Sequence, residues 1–118
     1  MSEFTDYLKE VFEQFGPVQV RKMFGGYGIY HDGIMFGLVA DETLYLKSDA
    51  SIEDLFLARD LGAFEYERKG KTFKMSYFLA PEEIYDNPET AHEWAQRSFD
   101  VAFRANAKKE KKSTARKK

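Results

Sequence analysis

The chain has 118 residues, 43% hydrophobic and 16% aromatic, and no cysteine. That length makes one domain, able to bury roughly two-thirds of its unfolded surface without a covalent staple. The missing cysteines exclude disulfides and thiolate metal sites, and no stretch approaches the ~18 consecutive apolar residues of a membrane span.

The net charge of −2 conceals a division. Residues 104–118 carry eight Lys or Arg and one acidic residue, a net +7, whereas the rest of the chain holds 10 basic and 19 acidic residues, a net −9. The body is therefore expected to repel nucleic acid, leaving only the tail suited to sequence-blind phosphate contacts. The N-terminus, MSEFTDYLKE, is acidic and amphipathic where a leader would be basic, so the expected location is cytoplasmic.

Ser2 reads as the N-cap of a first helix whose apolar stripe is Phe4, Leu8, Val11, Phe12 and Phe15, ending at Gly16-Pro17. Glu3, Asp6, Glu10 and Glu13 form its solvated face. Val18 to Phe24 begins the sheet, with Arg21 and Lys22 as exposed strand-edge charges.

Tyr27 to His31 and Ile34 to Val39 form a hairpin across Asp32-Gly33, a dipeptide suited to a two-residue type I′ turn. That turn predicts a register pairing His31 with Ile34, Tyr30 with Met35, Ile29 with Phe36, Gly28 with Gly37 and Tyr27 with Leu38. A second turn over Ala40 to Thr43 pairs Val39 with Leu44 and Gly37 with Leu46. One face then holds Tyr27, Ile29, Phe36, Leu38 and Tyr45; the other holds Tyr30, Met35, Val39, Leu44 and Leu46 around two facing glycines. A glycine inside a strand marks a bulge or a close approach. The flat spot is read as a seat for a helix or a subunit, with a small-molecule pocket as the alternative. Met23, Phe24, Gly28, Tyr30, Met35 and Gly37 are the candidate protein-contact surface.

Ser51 to Asp54 resembles a helix start, with Ile52, Leu55, Phe56 and Leu57 apolar, Leu61 prolonging the helix and Gly62 ending it. Phe64 to Arg68 and Thr72 to Leu79 form a second hairpin across Lys69-Gly70. In that register Tyr66 opposes Phe73 and Phe64 opposes Met75 on the core side, while Glu65 meets Lys74 on a wet face shared with Glu67, Thr72 and Ser76, with Phe78 as an exception. After a turn at Ala80 to Glu83, Asn87-Pro88 caps a last helix. Its stripe, Ala91, Trp94, Ala95, Ser98, Phe99, Ala102 and Phe103, fits a core helix lying on a sheet, the alternative being a partner-binding helix.

The body is thus residues 1–107. Residues 108–118 lack apolar anchors and read as a disordered basic tail, with Lys108, Lys109, Lys111, Lys112, Arg116, Lys117 and Lys118 as candidate nucleic-acid contacts.

Catalytic groups are scarce. His31 and His92 have no ligand-type spacing, and Ser76 lies within a strand, away from any nucleophile elbow. Glu82 with Glu83, and Glu65 with Glu67, are ordinary surface carboxylates. Gly25-Gly26-Tyr27-Gly28 leads into a strand, whereas a phosphate-cradling loop opens a helix. No catalytic, cofactor-binding or metal-ligating residue is assigned, and no cofactor is expected.

Met23-Phe24-Gly25-Gly26-Tyr27-Gly28-Ile29-Tyr30, followed by Asp32-Gly33, Met35 to Val39 and Leu44-Tyr45-Leu46-Lys47, closely resembles the N-terminal domain of the TfoX (Sxy) competence regulators. Further matches are Phe64, Tyr66, Gly70-Lys71, Met75-Ser76-Tyr77, Pro81 and Trp94-Ala95, and the likeness spans about Val11 to Ala105. The resemblance implies an α+β fold in the order α-β-β-β-β-α-β-β-α. Its mainly antiparallel sheet of five or six strands, with N-terminal, middle and C-terminal helices, would be similar to the secretion-chaperone fold. It also implies a non-enzymatic regulatory domain acting through protein contacts, with a transcription regulator of the cAMP receptor protein type as the implied partner. In one respect the chain departs from the full-length regulators: it ends where their helical C-terminal domain would begin. A homodimer through the glycine-flattened face, a nucleic-acid accessory using the Lys-rich tail, and a small-molecule binder or enzyme at Gly28 and Gly37 are the other expectations carried forward. None involves a membrane.

Overall fold

The chain is described from a computed structural model covering residues 2–23 and 25–116, with side chains through residue 108. Its elements are α1 (Glu3–Val11), β1 (Gln19–Met23), β2 (Gly26–His31), β3 (Ile34–Ala40), β4 (Thr43–Lys47), α2 (Glu53–Leu57), β5 (Ala63–Arg68), β6 (Lys71–Leu79), a 3-10 turn (Glu82–Tyr85) and α3 (Pro88–Arg116). This is the expected α+β order. The six strands form one antiparallel sheet in the spatial order β1-β2-β3-β4-β6-β5.

Local chemistry accounts for the element ends. The Ser2 side chain accepts from the Thr5 amide while Thr5 Oγ1 accepts from the Ser2 amide, a reciprocal capping box. α1 stops at Val11, and the chain turns through Phe12 to Phe15 before reaching the sheet. α2 is shorter than its apolar residues suggest. Its cap position is Ile52, and Ser51 instead donates to the Asp49 carboxylate. Only Phe56 is buried on it; Leu55 and Leu57 are exposed. Asp60, with φ +59°, ends it in the role expected of Gly62, and the Leu61 amide reaches back to the Phe56 carbonyl as in a Schellman closure. At α3 the Asn87 side chain accepts from the amides of Glu89 and Thr90, as a cap should.

The first hairpin departs from the expected register. His31 faces Ile34 and Tyr30 faces Met35, but Ile29 then faces Gly37, Gly28 faces Leu38 and Tyr27 faces Val39. Phe36 is one extra residue on β3, a β-bulge. The physical reason lies in burial. Without the bulge, Ile29 and Phe36 would point away from Val39, Leu44 and Leu46; with it, all five lie in one core. Helices on one side of the sheet can then cover them all.

That core also holds Leu8 and Phe12 of α1, Val20 of β1, Phe56 of α2, Phe78 of β6 and Trp94 of α3. Phe12 meets Phe36 edge-on at 5.7 Å, and Phe56 lies between the rings of Phe78 (5.2 Å) and Trp94 (5.1 Å). α3 crosses β3 and β4 on this side. Ala91, Trp94, Ala95, Ser98 and Ala102 of its expected stripe are buried and Phe99 partly so, whereas Phe103 is 55% exposed.

Candidate open sheet face

The pairing places the alternate residues of each strand on the side opposite the core. One cross-strand row runs Arg21, Gly28, Leu38, Tyr45, and a neighbouring pair sets Lys47 against Tyr77. Phe64 packs edge-on against Tyr45 at 5.0 Å, and Tyr66 is paired with and stacked on Phe73 at 5.5 Å. These rings were expected on the core side of the second hairpin. They lie instead beyond the reach of the helices, with Tyr66 41% and Phe73 42% exposed.

Of the sequence-predicted surface, Met23, Gly28, Tyr30 and Met35 come together here. A side chain at Gly28 would meet Tyr30 Cε1 at 2.8 Å, Met23 Sδ at 2.9 Å and Met35 Sδ at 3.2 Å, so three side chains close over that glycine. Gly37 does not join them. The bulge turns it to the core side, next to Ile29 and Leu44, so no flat spot of two facing glycines exists. Phe24 lies outside the described residues. Next to the Met23 cluster a groove of about 360 Å³ opens between the start of β2, the end of β3 and the β5–β6 hairpin, lined by Met23, Leu38, Phe64, Tyr66, Arg68 and Met75 among others.

The charged strand positions of this face are all cationic. The Arg21 guanidinium sits 4.8 Å from the Tyr30 ring centre and Lys47 Nζ 5.1 Å from that of Tyr77. Arg68 and its cross-strand partner Lys71 stand at the far end. No Asp or Glu occupies an outward-facing strand position on this side. Burial lowers the Lys47 pKa, partly opposed by Asp49 nearby. Burial, helped by Tyr30, pushes the Tyr77 hydroxyl up to about 12.

The remaining sequence candidates are dispersed. Exposed Lys108 lines a cleft of about 610 Å³ with Lys47, Ser76 and Arg104, in which Arg104 also approaches the Asp49 carboxylate at 3.5 Å. The hydrogen bond from Ser51, followed by Arg104, holds that carboxyl below its ordinary range despite slight desolvation. The side chains of Lys109, Lys111, Lys112 and Arg116, and all of Lys117 and Lys118, lie outside the described residues. His31 and His92 both pack on Phe15, at 4.6 and 6.1 Å, and His31 Nδ1 is 2.6 Å from the Pro17 carbonyl. Among the described residues no group of three or more His, Cys, Asp or Glu could hold a metal ion, and no helix is long and apolar enough to cross a membrane.

Sequence reasoning missed Leu38, Tyr45, Phe64, Tyr66, Phe73 and Tyr77 as members of this surface, and missed that Arg21, Lys47, Arg68 and Lys71 share it. The available signal was the alternation itself. Arg21-x-Met23, Tyr66-x-Arg68 and Lys71-x-Phe73 each put a cation and an apolar residue on the same side of a strand.

An antiparallel sheet clad by helices on one side and carrying an apolar, cationic strand face on the other defines an α+β domain that presents a surface. Residues 10–102 match the family described as the TfoX N-terminal domain, and the chain belongs to that family. It is similar to the DNA transformation protein TfoX1 of Aliivibrio fischeri, 26% identical over 88 residues that cover 75% of this chain and 42% of that protein. It is also similar to Protein Sxy of Escherichia coli (strain K12), 22% identical over 96 residues, 81% of this chain and 46% of that protein. The chain thus spans less than half the length of either relative.

Proposed function

We propose that this chain is a non-enzymatic regulatory domain of the TfoX kind that works through protein contacts made on its open sheet face. The observation that carries the reading is the pairing of an apolar groove with exposed aromatic rings on the side of the sheet that no helix among the described residues covers. Aromatic and methionine side chains are what protein interfaces select, and methionine adapts to more than one partner shape. Similarity to a protein named as a DNA transformation protein supports a first search among proteins of DNA transformation. A transcription regulator of the cAMP receptor protein type is the first partner to test.

The test is site-specific photo-crosslinking in cells. A photoreactive phenylalanine analogue replaces Phe73 on the open face or, as a control, Glu10 on the outer side of α1. The Phe73 position is expected to give a discrete protein adduct that the Glu10 position does not. No adduct from Phe73, or the same adduct from both positions, refutes the reading.

A further inference from the structure

Resting on that reading of the open face, we infer that its partner is an acidic, amphipathic peptide segment, whose apolar side chains enter the groove beside Met23 and Phe64 while its carboxylates meet Arg21, Lys47, Arg68 and Lys71. The argument is one of charge complementarity. Residues 1–103 contain 10 cations and 19 carboxylates, yet the outward strand positions of this face hold four of those cations and none of the carboxylates. A chain so acidic that keeps carboxylates off the outward strand positions of one face presents a local positive field there, and such fields choose the sign of what docks.

Two other occupants fit less well. A second copy of the chain, docked face to face about a two-fold axis, would set four strand cations against four, and like-charge juxtaposition of this kind opposes association. Single-stranded nucleic acid needs ring faces free for bases to stack on. Here Arg21 already lies over Tyr30 and Lys47 over Tyr77, while Tyr66 and Phe73 stack on one another. The groove between them is lined by Met, Leu and Phe, a lining that takes apolar side chains and does not read the polar edges of bases. An amphipathic segment satisfies both halves of the surface, its apolar stripe filling the groove and its acidic flank reaching the basic rim.

A displayed library of random peptides, each ~16 residues long and so able to form about four helical turns, is selected on the intact chain. Selected peptides are expected to combine Asp or Glu with apolar residues at helical or alternating spacing. Their affinity should fall about tenfold or more on Arg21→Glu/Arg68→Glu, fall less on the neutralised Arg21→Gln/Arg68→Gln, and weaken with added salt. The neutralised variant keeps the test valid if charge reversal disturbs folding, which the Trp94 emission reports. Enrichment of neutral or basic peptides, or binding that ignores both variants, overturns the inference. Absence of enriched peptides, or displacement of selected peptides by oligothymidylate, overturns it as well. Loss of binding on Tyr66→Asp separates the two levels. If peptides without acid bind and Tyr66→Asp abolishes binding, the open face is a protein-contact surface without acid preference. If Tyr66→Asp changes nothing, the open-face reading falls with it.

Discussion

Replacing Gly26 by alanine interrogates the bulged register of the first hairpin. Gly26 pairs with Ala40, and a Cβ there would sit 2.0 Å from the Val39 carbonyl oxygen and 3.2 Å from its carbon. Both are backbone atoms, so no rotamer change relieves the clash and the strands must part. Overpacking costs about 1–3 kcal/mol and each hydrogen bond lost from the pair about 1 kcal/mol, so Gly26→Ala should destabilise by about 3–4 kcal/mol. Gly28→Ala is the control two residues away. It meets only the ends of Tyr30, Met23 and Met35, on a face where they are free to swing aside. The entropy recovered by removing a strand glycine, about 0.5–1 kcal/mol, offsets most of that displacement. Trp94, the single tryptophan and 3% exposed, reports unfolding in urea. With a slope of about 2 kcal/mol/M, Gly26→Ala should lower the midpoint by about 1.5–2 M, and Gly28→Ala should move it by less than about 0.5 M. Equal shifts, or a silent Gly26→Ala, would refute the bulged register and restore the one that sets Gly28 against Gly37.

The core and the element ends give three further expectations. Phe56→Ala should cost about 3–5 kcal/mol because Phe56 alone anchors α2 between Phe78 and Trp94, whereas Leu57→Ala on the same helix should change stability by less than about 0.5 kcal/mol; comparable losses in urea titrations would contradict the assignment of α2's buried side. Asn87→Ala should cost about 1 kcal/mol and Asn87→Asp much less, since either Asn or Asp oxygen accepts from Glu89 and Thr90; thermal melts showing no difference would remove the cap. Burial pushes both Tyr77 and Tyr85 up to about 12 from 10.0, so the folded chain keeps those protons after the unfolded chain has lost them. The associated stability is complete below pH 10 and disappears as pH rises towards 12, up to about 3 kcal/mol for the nearly buried Tyr77. Denaturation at pH 9 and above should show that loss, and Tyr77→Phe should shrink it; an unchanged profile in Tyr77→Phe would locate the titration elsewhere.

Period and punctuation made the elements legible. Asp32-Gly33 fixed the turn of the first hairpin, Lys69-Gly70 that of the second, Ser2 and Asn87 the two principal helix starts, and the α3 stripe its seat on the sheet. The bulge was not legible, because local turn chemistry decides only the pairs nearest the turn. Beyond Tyr30 and Met35 the register is chosen by which arrangement buries more apolar surface against α1 and α3, a tertiary criterion. Both registers alternate equally well in the sequence. The same limit applies to Tyr66 and Phe73. Their pairing was legible from Lys69-Gly70, but the side of the sheet left uncovered depends on how far the helices reach.

The bulge links the core to the proposed docking surface. By adding Phe36 to one strand it gathers Ile29, Phe36, Val39, Leu44 and Leu46 under the helices, and the complementary residues Tyr30, Met35, Leu38 and Tyr45 are left together on the other side. Arg21 reaches that side through its pairing with Gly28, and Lys47 through its pairing with Tyr77. In the unbulged register Leu38 and Tyr45 would instead share a face with Ile29 and Phe36, and the open side would offer Val39, Leu44 and Leu46 beside two glycines. That alternative surface would keep Tyr30 and Met35 but lack the Tyr45–Phe64 contact that joins the first hairpin to the second. One inserted residue therefore decides both which side chains stabilise the domain and which remain for a partner. Gly26→Ala should accordingly weaken selected acidic peptides along with the fold, whereas Arg21→Gln/Arg68→Gln should weaken those peptides and leave the urea midpoint within about 0.5 M, the size expected of surface substitutions.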